Sequence, residues 1–160
     1  EQLHLDQDTL LALGSAAGED LQPIFVATSN NYRHSVEAAV SVSSAIAGVN
    51  QTAITLFEGW RDEIGYLTDA RLKADGEAQF AASWQRYEEL IQSLKHSEAM
   101  IDPVLAELRK FLTYFKYALD EASIASRKTE LSDTDNNIVA LINALTASTV
   151  KSKAFLESTQ

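Results

Sequence analysis

The run FVATSNNYRHSVEAAVSVSSAIAGVNQTAITLFEGWRDEIGYL, residues 25–67, decides the fold. Its apolar and small residues recur in alternating steps of four and three. The seam passes Phe25, Ser29, Tyr32, Val36, Ala39, Ser43, Ile46, Asn50, Ala53, Phe57, Trp60, Ile64 and Leu67. That is a period near 3.5, the pattern of a helix buried against other helices along one line. At 1.5 Å per residue, a helix from about 21 to 67 spans roughly 70 Å. A compact globule of this chain length is only about half that across. The spacing therefore predicts a rod.

Two further seams flank a polar reversal at TDARLKADGE (68–77). One runs through Phe80, Trp84, Tyr87, Ile91, Leu94, Glu98, Ile101, Leu105, Leu108, Leu112, Phe115 and Leu119. A looser one runs through Leu131, Ile138, Ile142, Leu145, Thr149, Ser152 and Leu156. DEASIASRK (120–128) reads as a second reversal. Ahead of the first seam, LHLDQDTLLAL (3–13) is a short amphipathic piece. It is followed by a loop at 14–20 and by Pro23 in the first turn of the next helix. Runs of alternating β-branched residues are missing. The expectation is one all-α domain, an elongated antiparallel bundle of three long helices with coiled-coil-like seams plus a short N-terminal helix. Its parts are a helix and loop at 1–18, a helix at 19–68, a helix at 77–119 kinked near 103, and a helix at 122–157.

Two residues break the second seam. If the first reversal centres near 73, Glu98 falls opposite Gly48 to Asn50. If the second centres near 123, Glu98 also faces Ser148, Thr149 or Lys151. The expected arrangement is a buried polar layer of Asn50, Glu98, Thr149 and Lys151 that sets helix register, because an acid buried alone is costly. A solvated Glu98 on a rotated helix and a functional carboxylate are the alternatives. Pro103 either kinks a continuous helix or follows Asp102 as the cap of a new one. The unbroken phase from Ile101 to Leu105 and Leu108 favours the kink.

Aromatic residues Phe57, Trp60, Phe80, Trp84 and Tyr87 should form a core where the first two long helices meet, and that end should be the stable one. A second aromatic group, Phe111, Tyr114, Phe115 and Tyr117, is denser than one seam requires. Lys110, Tyr114, Lys116 and Tyr117 are a candidate partner-binding patch, with widening of the core against the N-terminal piece as the plainer reading.

The chemistry-bearing residues are scattered. The chain has no cysteine, so thiolate metal sites and cysteine nucleophiles are excluded. His4, His34 and His96 lie far apart, and the one Glu-x-x-His pair is Glu1 with His4. Neither HExxH nor G-x-S-x-G is present. The adjacent acids Asp62-Glu63 and Glu88-Glu89 point in different directions on a helix. Asn50-Gln51-Thr52 matches a glycosylation sequon inside a predicted helix. No catalytic residue, cofactor or metal is expected, and an enzyme is the least favoured class. The net charge of −10 disfavours nucleic acid and anionic membrane surfaces. A hydrophobic share of 46% and a mean hydropathy of −0.13 suit a domain with its own core and no spanning run of consecutive apolar residues.

Several stretches resemble one known family. They are LFEGWRDEI (56–64), WQRYEELIQSLKHSEAMIDPVLAELRKFLTYFKYAL (84–119) and ASIASRKTEL (122–131). The sequence is similar there to the uncharacterised bacterial family called domain of unknown function 2959. Trp60, Tyr87, Glu98, Pro103 and the Phe115-Lys116 pair carry the likeness, which extends over roughly 25–157. Ala118 and Asp120 stand where that family tends to carry amides, and 36–53 holds fewer charges. The resemblance implies a Gram-negative envelope protein, periplasmic or at the outer envelope. A lipoprotein-type leader and lipid anchor would lie outside this chain, and residues 3–13 would be the end of a further helix. The functions it leaves in contention are a non-enzymatic structural or interaction module, through an unknown protein partner or self-association, and a ligand-binding or sensory helical domain.

Overall fold

Residues 2–157 are described by a computed structural model. Helix α1 (Gln2–Ser15) is closed by a turn in which Gly18 takes a positive φ of 58°. Only a residue without Cβ adopts that conformation freely. The Gly18 N–H donates to Glu121 Oε1 at 2.9 Å, which ties this turn to the far reversal of the chain. Helix α2 (Leu21–Tyr66) then runs 46 residues without interruption. Pro23 sits in its first turn, where a missing N–H removes no helical bond. Helix α1 lies antiparallel along the first part of α2. Asn31 Nδ2 donates to the Leu5 carbonyl at 3.2 Å, and Thr28 Oγ1 to the Thr9 carbonyl at 3.5 Å.

The first reversal is shorter than its polar composition predicts. It occupies Leu67 to Asp69, and α3 (Ala70–Ala99) starts at once. Asp69 is the reason. Its Oδ1 accepts from the backbone N–H groups of Arg71 and Leu72 at 2.9 and 3.0 Å, satisfying two of the unpaired donors of the first turn. Gly76, expected in the loop, lies inside α3. A Cβ there would stand 3.3 Å from Ile64 Cγ1, so the bare glycine lets α3 press against α2 just after the turn.

Helix α3 gives way to α4 (Ile101–Phe115) through the single residue Met100. Its φ and ψ of −84° and −16° are still helical, and its N–H bonds to the Ser97 carbonyl at 3.2 Å. Pro103 has no N–H to offer the carbonyl of Ala99, so the ladder is interrupted one turn earlier. The interruption thus falls at Met100 rather than at 103. Asp102 caps nothing, because α4 already begins at Ile101. Together α3 and α4 form one long antiparallel partner of α2. Helix α4 ends at Phe115, short of the predicted 119. Asp120 then caps a six-residue helix, α5 (Glu121–Ser126), accepting from the Ser123 N–H at 2.8 Å. Helix α6 (Lys128–Glu157) returns antiparallel to α4 and α3. Asn137 Nδ2 reaches Glu107 at 3.0 Å, and Ser148 Oγ reaches Ser97 Oγ at 2.8 Å.

The bundle is all-α, with no strand among the described residues. Its main core lies where α1, α2, α4 and α6 run side by side, with Leu10, Leu13, Leu108, Phe115, Ile138 and Leu141 essentially sealed from water. Full burial of each such side chain contributes about 1.5–3 kcal/mol. The second core sits between α2 and α3, with Phe155 of α6 packed against it. Phe57 and Tyr87 are buried within it, and the rings of Trp60, Phe80 and Trp84 pack around Phe57 at 5.0–6.1 Å while staying partly exposed. The aromatic core forms as its spacing predicts. The deeper and larger core is the aliphatic one at the other end.

Candidate interaction surface

The predicted polar layer does not assemble. Glu98 is half-buried, whereas Thr149 and Lys151 are exposed. Asn50 accepts instead from the Tyr87 hydroxyl at 2.7 Å, nearer the hairpin than Glu98. The cause is the short first reversal. With the turn at 67–69 rather than near 73, Asn50 comes level with Tyr87. The buried polar level lies one residue before each predicted position. Ser97 and Ser148 are fully buried, their hydroxyls 2.8 Å apart, and Ser148 also donates to the Ser93 carbonyl at 3.0 Å. Three small hydroxyls satisfy one another there without any charge. Ser148 is among the residues expected opposite Glu98, but Ser93 and Ser97 went unread because the seam was carried through 94 and 98 at strict heptad spacing. The observed seam steps from Leu94 to Ser97 to Ile101.

A second buried polar pair joins α1 to α2. Asp6 is only 1% exposed; its Oδ2 accepts from the Ser35 hydroxyl and its Oδ1 has no partner among the described residues. Burial pushes the carboxyl above its ordinary value, and the Ser35 bond offsets part of that. The signal was present in the sequence, since Asp6 continues the spacing of Leu3, Leu10 and Leu13.

The predicted aromatic–basic patch separates into parts. Tyr114 is half-buried with the Arg127 guanidinium 4.4 Å over its ring. The nearby Ser123 and Ser126 hydroxyls, together with Arg127, hold its hydroxyl below the ordinary phenol value. It packs against the core that Phe111 and Phe115 share with Leu10 and Leu13 of the N-terminal helix, as the plainer reading expects. Lys116 and Tyr117 project from the turn after α4, the lysine 5.7 Å from the ring it covers, with Tyr117 80% exposed. Lys110 stands apart on the ridge of α4, 3.9 Å from Glu130.

Beside Lys110 opens a cleft of about 590 Å³ between α2 and α4. Tyr32, Val36 and Leu105 line its apolar side, and Arg109, Lys110 and Asp102 supply charge. It leads onto the outer face of α2. Between Glu37 and Glu58 that helix carries no charged residue for twenty positions. Val40 on this face is 65% exposed, and Ser44, Ala47 and Gln51 are also open to solvent. An 18-residue window of the helix reaches a mean hydropathy of 1.2, and only 11% of it is buried. By length and composition this would suffice to cross a membrane, although no unbroken apolar run exists. In the fold, Val42 and Ile46 of the same stretch turn inward against the two cores. A long neutral helix face left open to water is unusual on a chain of charge −10.

The family model described as "Protein of unknown function (DUF2959)" matches residues 1–159, and the chain belongs to that family. No curated protein and no solved structure matches it.

Proposed function

We propose that this member of the DUF2959 family is a non-enzymatic structural or protein-interaction module of the bacterial cell envelope. The observation that carries the interaction reading is the outer face of α2, a charge-free exposed surface extending over twenty residues. An exposed helix face of this length without a charge to hydrate it suits coverage by a partner. The envelope setting, with a lipid anchor outside this chain, rests on the likeness of the Trp60, Tyr87 and Pro103 motifs to proteins carrying lipoprotein-type leaders. The test is photo-crosslinking in bacterial cells from position 47, with position 140 on the exposed side of α6 as the comparison. The reading expects adducts from 47 and few from 140. Equal labelling from both positions overturns it.

A second reading is favoured by the α2–α4 cleft. Its volume lies in the range of small-ligand sites, and Arg109 and Lys110 would suit an anionic group. A ligand-binding or sensory role predicts a thermal shift with small carboxylates or phosphates, abolished by Arg109→Ala. A flat response excludes it.

A further inference from the structure

The outer face of α2 has a symmetry that names its partner. Arg33, Val36, Val40, Ala47, Glu58 and Asp62 fall on one side of this straight 46-residue helix, given 100° per residue, and all are exposed. The neutral stretch lies in the middle, with Arg33 and, a turn on, Glu37 at one end, and Glu58 and Asp62 at the other. Neither Arg33 nor Asp62 is engaged in an ion pair among the described residues. Such a face is complementary to itself when turned end for end.

We propose that a second copy of this chain docks here, α2 against α2 antiparallel, about a two-fold axis near Ala47 and Gly48. This inference rests on the interaction reading above and deepens it. The axis puts Arg33 of each copy opposite Asp62 of the other, with Arg109 of the adjoining cleft beside the same carboxylate. Val40 meets Thr55, and Ser44 meets Gln51. Small side chains at the centre, Ala47 and Gly48, let the axes come close. Glu37 and Glu58 also come level, but Glu37 already leans on His34 at 3.6 Å. Two bodies of charge −10 repel each other on most approaches. On the α2 face they meet over a long stretch without like charges at the centre and with the opposite pair Arg33 and Asp62 outside the level of Glu37 and Glu58 at each end. Contact over 33–62, about 45 Å of helix, covers on the order of 1,200 Å² in total, the lower bound of a standard specific interface. An isologous contact of this kind closes as a dimer.

The chain has no cysteine, so Ala47→Cys supplies a single thiol beside the axis. Ala140→Cys, exposed on α6, is the control. The proposal expects wild-type protein at about 100 µM to sediment as a dimer, and Ala47→Cys but not Ala140→Cys to form a disulfide-linked dimer on mild oxidation. Arg33→Glu and Asp62→Arg should each weaken association roughly tenfold, and the double exchange should restore it. All four positions are exposed, and helicity by circular dichroism checks the fold of each variant. A wild-type monomer at that concentration overturns the proposal. So does a dimer that is indifferent to both charge exchanges and whose Ala47→Cys variant stays unlinked. A monomer whose position 47 still crosslinks selectively in cells, to another protein or to lipid, defeats the second copy while the interaction reading stands. A monomer with no selective crosslink defeats both.

Discussion

Asp6 is the side chain with most at stake for its size. A carboxyl sealed between α1 and α2 with one oxygen unpartnered among the described residues costs more as an anion than as an acid. Its folded pKa is raised above 3.8, so the folded state holds this proton more tightly than the unfolded chain. Stability therefore rises as pH falls through the raised value towards 3.8, and the gain is constant below that. Asp120 has the opposite sign, because its hydrogen bonds to Ser123 lower its pKa. Its contribution is present above 3.8 and disappears on further acidification. Between neutrality and 3.8, Asp6 sets the slope. Asp6→Asn should be more stable than wild type at pH 7 by about 1 kcal/mol, and the wild type should close the gap on acidification. Urea unfolding at pH 7 and pH 4.5 measures this; a gap that does not change with pH would refute it.

Among the elements, the helices themselves were legible and their junctions were not. Thirteen seam positions from Phe25 to Leu67 specify α2 because each repeats one geometric demand. A junction turns on one or two side chains. Asp69 could have been recognised as a cap, yet the Gly76 beyond it looked like a turn until Ile64 was found pressed against it. That one displaced turn carried the predicted layer away from Tyr87 and Asn50. The one-residue error at Glu98 and Thr149 has another source, strict heptad phasing across a stretch that Met100 interrupts. The α2 face went unread as a site because exposure is a property of the assembled bundle. The serine cluster yields a direct check. Ser148→Ala should cost about 1 kcal/mol, since it leaves neighbouring polar groups less well satisfied. Combining it with Ser97→Ala should cost less than the two single changes added together, the sign of a shared bond. Glu98→Gln should change stability by less than about 0.5 kcal/mol. Denaturation midpoints of the four variants decide whether Glu98 or the serines hold the register.

For the whole molecule, the separation into two cores matters most. The aliphatic core binds α1, α2, α4, α5 and α6, and the aromatic core binds α2 to α3 with Phe155 of α6 against it, while Val42 packs against both. Truncating Phe57 removes the ring that Trp60, Phe80, Trp84 and Tyr87 surround. Phe57→Ala should destabilise by about 3–5 kcal/mol. Hydrogen exchange should show the loss concentrated between residues 50 and 87, with amides of α1 and α4 retaining most of their protection. Uniform loss across the chain would mean that the two cores behave as one cooperative unit.

The break at Met100 also has a mechanical side. Opposite it, α2 passes without a missing hydrogen bond, so the rod resembles a beam notched on one edge only. Such a beam is compliant in one plane, the plane containing α2 and the α3–α4 pair, and stiff across it. Load along the axis is carried by α2 and by α6, which also passes the break uninterrupted, while the notch opens or closes. Small changes in angle there become large sideways excursions of the Trp60 end. The direction of that swing is set by the edge on which Pro103 withholds its N–H.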